Sequence, residues 1–209
     1  MLQKSGYVVR HPTWSIVCLF LLASLSKSAT FGTYTMSTQL GPQVTLSYKT
    51  DGTNAFFLIE KKAAGHVVFG IGNTMFDSDV VTITRAADNS APVLKDCHLD
   101  ARGAPNCGES AENWVLASSD SFELTATSMK VEIKRPLAAS GQNKDKPIAN
   151  GENTFIFSYT TNNLVVQHDS TGGYGTKTVN IAAMSATKSS QFLQQLSSVL
   201  FLVVTALSI

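Results

Sequence analysis

The sequence predicts an all-β fold, a single-domain antiparallel sandwich, and three observations lead there. Short segments rich in β-branched and aromatic residues recur along the chain. Clusters of Gly, Asn, Asp and Pro separate them, and no stretch carries a convincing amphipathic helical period. The expected strands are 44–49, 55–60, 66–71, 80–85, 114–118, 122–127, 130–135, 154–160, 164–167 and 178–181.

Alternation justifies the clearest of these. In KVEIKR, Val131 and Ile133 face one way while Lys130, Glu132 and Lys134 face the other; in TFIFSY, Phe155, Phe157 and Tyr159 share a face. Each strand is expected to have one buried and one wet face. By contrast, HVVFGI (66–71) and LVV (164–166) are continuously apolar. That suits strands covered on both faces, or strands that meet something apolar at one end.

The two ends of the chain read as addresses. Lys4 and Arg10 precede an apolar run from Ile16 to Leu25 that ends in Ser26-Lys27-Ser28, the pattern of a secretory signal over 1–28. At the other end, LSSVLFLVVTALSI (196–209) is almost wholly apolar with no charge after it. Small residues at 185–187 and the spacer KSSQFLQQ come before it, the order of a glycosylphosphatidylinositol attachment signal. Ser185 is the expected lipid attachment site, with Ser189 as the alternative; a retained C-terminal membrane helix is the competing reading. The domain then spans 29–185, and 186–209 is removed.

Charge excludes one class of partner. Four of the 16 basic residues (Lys4, Arg10, Lys27 and Lys188) lie in the end segments, leaving 12 against 15 acidic ones in the domain, so nucleic acid is not expected. Two cysteines remain after removal of the signal that contains Cys18. Cys97 and Cys107 are an even pair suited to a disulfide in an exported domain. The alternative, a metal site from Cys97, His98 and Cys107, lacks a fourth ligand at a familiar spacing.

Catalytic motifs are thin: no glycine-flanked serine elbow, HExxH or P-loop is present. Asn73, Asp77 and Asp79 lack the ligand spacing and closing glutamate of a calcium loop, and read as turn acids. Two positions stand out instead. Met75 follows Gly70 and Gly72 in FGIGNTMFDSDVV, a soft donor in a glycine-rich turn. His168 ends an apolar strand and precedes DSTGGYG, whose Gly172 and neighbours let a bulky planar group approach the backbone. Such a pair suits the two axial positions of one haem iron, although a lone Met is more often core filler and a lone His a surface or hydrogen-bonded core residue.

The order of these features resembles the DOMON family, named for dopamine β-monooxygenase N-terminal domains. The likeness is to its haem-binding branch, which includes the cytochrome domain of cellobiose dehydrogenase and plant lipid-anchored b-type cytochromes. The motifs are GHVVFGIGNTM then DSDVV, KRPLAASGQNKDKPI, TFIFSYT, and VVQHDSTGGYG, and they cover the chain from about Val44 to Ile181. The resemblance implies an immunoglobulin-like sandwich with haem b at one end of the strands and Met75 and His168 as axial ligands, beside Gly72 and Gly172. With both axial positions filled by protein, such a centre is an electron carrier and not a catalyst. The absence of CxxCH makes the haem non-covalent. Implied partners are a small-molecule reductant such as ascorbate, a cell-surface redox protein or a transmembrane b-type cytochrome. The implied location is the extracellular face of the plasma membrane, through the lipid anchor. The rival expectation is a haem-free sandwich that binds carbohydrate or a protein ligand on the cell surface through aromatics such as Tyr174 or Trp114.

Overall fold

The computed structural model describes residues 28–63, 65–85, 91–107, 113–140, 144–161 and 173–182. None of these is helical. The strands are β1 (Met36–Gly41), β2 (Val44–Thr50), β3 (Asn54–Lys61), β4 (Val67–Ile71), β5 (Ser78–Arg85), β6 (Pro92–Leu99), β7 (Val115–Leu116), β8 (Phe122–Leu124), β9 (Met129–Pro136), β10 (Gly151–Tyr159) and β11 (Tyr174–Ile181). They form two antiparallel sheets. The first runs β1-β2-β3-β9-β7, with β8 also paired to β9; the second runs β11-β10-β4-β5-β6.

Most of the expected strands are present, with shifted ends. β1 and β6 were not expected, and both lie at sheet edges, where polar residues are tolerated on strands that one side leaves unpaired. The segment 97–107, where no strand was expected, starts as strand: β6 continues to Leu99, and His98 and Asn106 exchange both backbone hydrogen bonds at 2.9 Å. The expected strand 164–167 lies outside the described residues, as do 1–27 and 183–209.

Turn chemistry fixes the hairpins. Between β2 and β3, the Asp51 carboxylate accepts from the backbone N–H groups of Thr53 (2.8 Å) and Asn54 (2.7 Å), a side-chain mimic of a turn. Those N–H groups hold the Asp51 pKa below the usual carboxylate range.

The core fills the space between the sheets with the residues that alternation assigned to it. Phe155, Phe157 and Tyr159 pair in register with Ile71, Phe69 and Val67, and all face inward. Phe69 and Phe155 stack at 5.1 Å between ring centroids, and Phe57 of the first sheet meets each of them edge-on at 5.2 Å. Trp114 closes the cluster and is buried.

The outer face of the first sheet is less wet than KVEIKR suggested. Val131 and Ile133 are buried inward as expected, but Glu132, on the other face, is also buried. Residues 30–34 cross over it: Gly32 N–H donates to Glu132 Oε2 at 2.9 Å and Tyr34 Oη to Oε1 at 2.5 Å. Lys49 lies over the Tyr34 ring and Lys130 over the Phe31 ring, each at 4.6 Å. A Cβ at Gly32 would sit 2.9 Å from the Glu132 carboxylate and would displace the Lys49 ammonium, so the crossing packs closely there.

Candidate functional site

The outer face of the second sheet is different. Val68, Val80, Cys97, Leu99 and Ile156 form a second apolar cluster there, separated from the main core by the sheet itself. Register explains the placement: Ile156 pairs with Gly70, Gly70 with Val80, and Val80 with Cys97, giving one row across four strands in the phase opposite to the core residues. Such a row would ordinarily face water. Val80 and Cys97 are covered, while Val68, Leu99 and Ile156 of the same cluster floor a cavity of about 680 Å³, within the range of about 300–1,000 Å³ usual for small-molecule and cofactor sites.

Met75 borders this cavity and packs on its floor. Its turn is defined by several local bonds. Gly72 follows β4 with φ +152°, a conformation that favours glycine, and its N–H donates to the Thr154 carbonyl at 3.0 Å. A side chain at Gly72 would also run into Ser78. The Thr74 hydroxyl donates to the Phe76 carbonyl at 2.7 Å, Ser78 Oγ donates to the Thr74 carbonyl at 2.6 Å, and Lys146 pairs with Asp77 at 2.9 Å. That pairing is the main reason the Asp77 pKa lies below the ordinary carboxylate value. The Met75 side chain is thus presented from a fixed backbone.

A buried ion pair joins this turn to the core. Asp79, read from sequence as a turn acid, is in fact inside β5 and buried: its carboxylate accepts from Arg135 (2.5 Å), Trp114 Nε1 (3.0 Å) and Lys146 N–H (2.9 Å). Carboxylate oxygens of Asp79, Asp96 and Asp145 lie within 4.8 Å of one another, and the Arg135 guanidinium supplies the countercharge. Asp96 accepts from Asn113 N–H at 2.7 Å, while its other oxygen accepts no hydrogen bond from the described residues. Burial, with the charges of Asp79 and Asp145 adding to it, pushes the Asp96 pKa up to about 6.

The remaining walls come from two directions. On one side are Ser158, Tyr174, Gly175 and Thr176 of β10 and β11 with His66, which is buried just before β4 and shares a 2.8 Å hydrogen bond between Nδ1 and Thr160 Oγ1. On the other is the hairpin tip Arg102–Pro105. The Cys97–Cys107 disulfide closes that hairpin. It removes both sulfurs from the alternative metal site, and His98 lies instead 3.2 Å from the Asp100 carboxylate.

The described residues therefore fit a flat, largely apolar cofactor on one side: an apolar floor, a thioether at the edge, small residues at Gly103, Ala104 and Gly175, and hydroxyl and imidazole groups around the rim. Of the residues expected from sequence, Met75 reaches the cavity and Gly72 shapes its turn. His168 and Gly172 lie outside the described residues. The segment that contains them joins β10 to β11, and Ser158 and Tyr174, register partners near its two ends, both line the cavity. Ser185 also lies outside. Of the two aromatics expected to offer a contact platform, Trp114 is buried in the core, whereas Tyr174 is 54% exposed.

Several residues that line the cavity were not found by sequence reasoning. Val68, Leu99 and Ile156 carried a signal, since Ile156 is apolar in the phase opposite to Phe155 and Phe157. Arg102 and Pro105 carried none, because only the disulfide-closed hairpin brings them to the cavity.

No family model matches the chain, and no curated protein sequence matches it. Among solved structures, the cytochrome domain of Myriococcum thermophilum cellobiose dehydrogenase superimposes with a TM-score of 0.54 at 13% identity, covering 73% of this chain and 86% of that one. A cytochrome domain shares this fold. The cytochrome b domain of pyranose dehydrogenase from Coprinopsis cinerea also matches, with a TM-score of 0.49 at 10% identity, covering 65% of this chain and 75% of that one.

Proposed function

We propose that this chain is a b-type haem cytochrome domain that transfers single electrons at the extracellular face of the cell. The observation that carries the reading is the apolar cavity on the outer face of the second sheet, with Met75 fixed at its edge. Its occurrence on a fold shared with a cytochrome domain supports it.

Haem, when bound, would supply a one-electron ferric/ferrous couple. Met75 is one proposed axial ligand, and its thioether favours the ferrous state relative to a second nitrogen donor. His168, from the segment between β10 and β11, is the other. The floor of Val68, Leu99 and Ile156 would exclude water from one side. If Met75 and His168 both held the iron, no site would be left for oxygen chemistry, and the group would supply one-electron exchange with a donor and an acceptor. The proposed donor is a small reductant such as ascorbate, or a redox partner protein; a transmembrane b-type cytochrome is a proposed partner. The proposed lipid anchor at Ser185 would keep the domain at the membrane surface, and the Cys97–Cys107 disulfide supports an oxidising compartment.

The test is a reduced-minus-oxidised visible spectrum after expression with haem available. One haem per chain, with sharp six-coordinate b-type bands on adding ascorbate, is the expected result. No stoichiometric haem overturns the reading. In that case Tyr174, exposed on the cavity rim, favours a second one: a haem-free domain that binds a carbohydrate or protein ligand there. Glycan binding by the apoprotein, lost in Tyr174→Ala, would be its signature.

A further inference from the structure

The cavity is apolar, and among the described residues around it only one carries a fixed charge, Arg102. Arg102 sits on the hairpin tip, beyond the last paired residues of β6. Three features hold the base of that hairpin: the Cys97–Cys107 disulfide, the backbone pair between His98 and Asn106, and the contact of Lys144 with Asp100. The nearest acid in the hairpin sequence, Asp100, is thus engaged by Lys144 and lies beside His98. No acid among the described residues pairs with Arg102.

An unpaired guanidinium on a stapled hairpin at the edge of an apolar chamber has a defined preference. Its planar fork matches a carboxylate with two parallel hydrogen bonds. The apolar floor selects a ligand body with little charge, so the complementary ligand is flat and apolar with carboxylates at one edge. Haem has that character: its only ionised substituents are two propionates on one edge of the ring.

We propose that Arg102 is the carboxylate-anchoring residue of this cavity, pairing with a haem propionate and so fixing which edge of the ring faces the disulfide hairpin. The inference rests on the haem reading above. Arg102 does not touch the iron and is a positioning residue. Its charge also stabilises the ferrous over the ferric state, since the ferric centre carries the additional positive charge.

The experiment titrates the apo form of the full chain with haemin and, separately, with haemin dimethyl ester, in which both propionates are uncharged. Wild type is compared with Arg102→Ala, Arg102→Lys and Arg102→Glu, and midpoint potentials are measured on the haem-loaded forms. For haemin, Arg102→Ala is expected to bind roughly tenfold more weakly, as for loss of one charge-assisted hydrogen bond. Arg102→Lys should recover part of the loss and Arg102→Glu should bind more weakly still. For the dimethyl ester all four proteins should bind alike, and the midpoint potential of Arg102→Ala should fall below that of wild type. Equal haemin affinity in wild type and Arg102→Ala would overturn the role of Arg102 and leave the haem reading standing. So would an equal loss for both porphyrins, which would mark a structural effect of the substitution. Failure of wild type to bind either porphyrin would overturn both.

Discussion

The two sheets present outer faces that solve the same problem in opposite ways. On the first, the chain covers the face with its own residues: Gly32 and Tyr34 close over Glu132, and Phe31 and Tyr34 take up the Lys130 and Lys49 ammonium groups. On the second, Val68, Leu99 and Ile156 are apolar, and among the described residues Met75 and Arg102–Pro105 stand around a cavity beside them instead of a strap lying across. A cavity with an apolar floor suits a ligand, whereas the strapped face is filled by the chain itself.

Neighbouring residues on β4 break the comparison most sharply, because Phe69 points into the core and Val68 into the cavity. Phe69→Ala should cost about 3–5 kcal/mol, seen as a large fall in the denaturation midpoint. Val68→Trp should leave stability nearly unchanged while abolishing haem uptake, read in the same preparation by absorbance. If Val68→Trp destabilised as much as Phe69→Ala, the outer face would be a second core and not a chamber.

Removing the Cys97–Cys107 disulfide by the double change to alanine should cost about 2–4 kcal/mol, the range for closing a loop of this length. It should also speed haem loss, because the hairpin forms one wall. Haem dissociation to a scavenging apoprotein measures the second effect. On the strapped face, Tyr34→Phe removes a hydrogen bond to a buried carboxylate and should cost about 1.5–3 kcal/mol without changing haem affinity. Burial and then the bond to Glu132 hold the Tyr34 pKa far above its ordinary value, so the phenol stays a donor at all physiological pH.

The smallest effect is a pH dependence from the carboxylate group of Asp79, Asp96 and Asp145. Asp96 has a folded-state pKa near 6, above its unfolded value of about 3.9. Between these values the folded protein holds more protons, so stability should fall as pH rises from about 4 to about 6 and level off above. Asp96→Asn should flatten that part of a thermal-denaturation profile. An unchanged slope would place the titrating group elsewhere.

How much of this was legible in the sequence follows from which signals are local. Alternation in TFIFSY and KVEIKR located two central strands and their core faces, because period two is written in adjacent residues. The edge strands β1 and β6 were missed, since MSTQLG and PVLKDCHL mix polar and apolar residues as edges allow. The burial of Asp79 was also missed: its partners, Trp114 and Arg135, are distant in sequence, and only the pairing of the two sheets brings them together. Met75 was found because a glycine turn around a methionine is unusual locally. The cavity beside it was not, because its lining comes from β4, β6, β10, β11 and the hairpin tip, and residues gathered from separate strands have no signature along one chain.

The central claim is that Met75, at the edge of that cavity, is an iron ligand. Near-infrared magnetic circular dichroism of the ferric, haem-loaded protein tests it most directly, because sulfur and nitrogen ligands give distinct charge-transfer bands. A methionine–histidine band that disappears in Met75→Ala is the predicted result. A bis-histidine band that survives that substitution would contradict it, and would point to a cavity histidine such as His66.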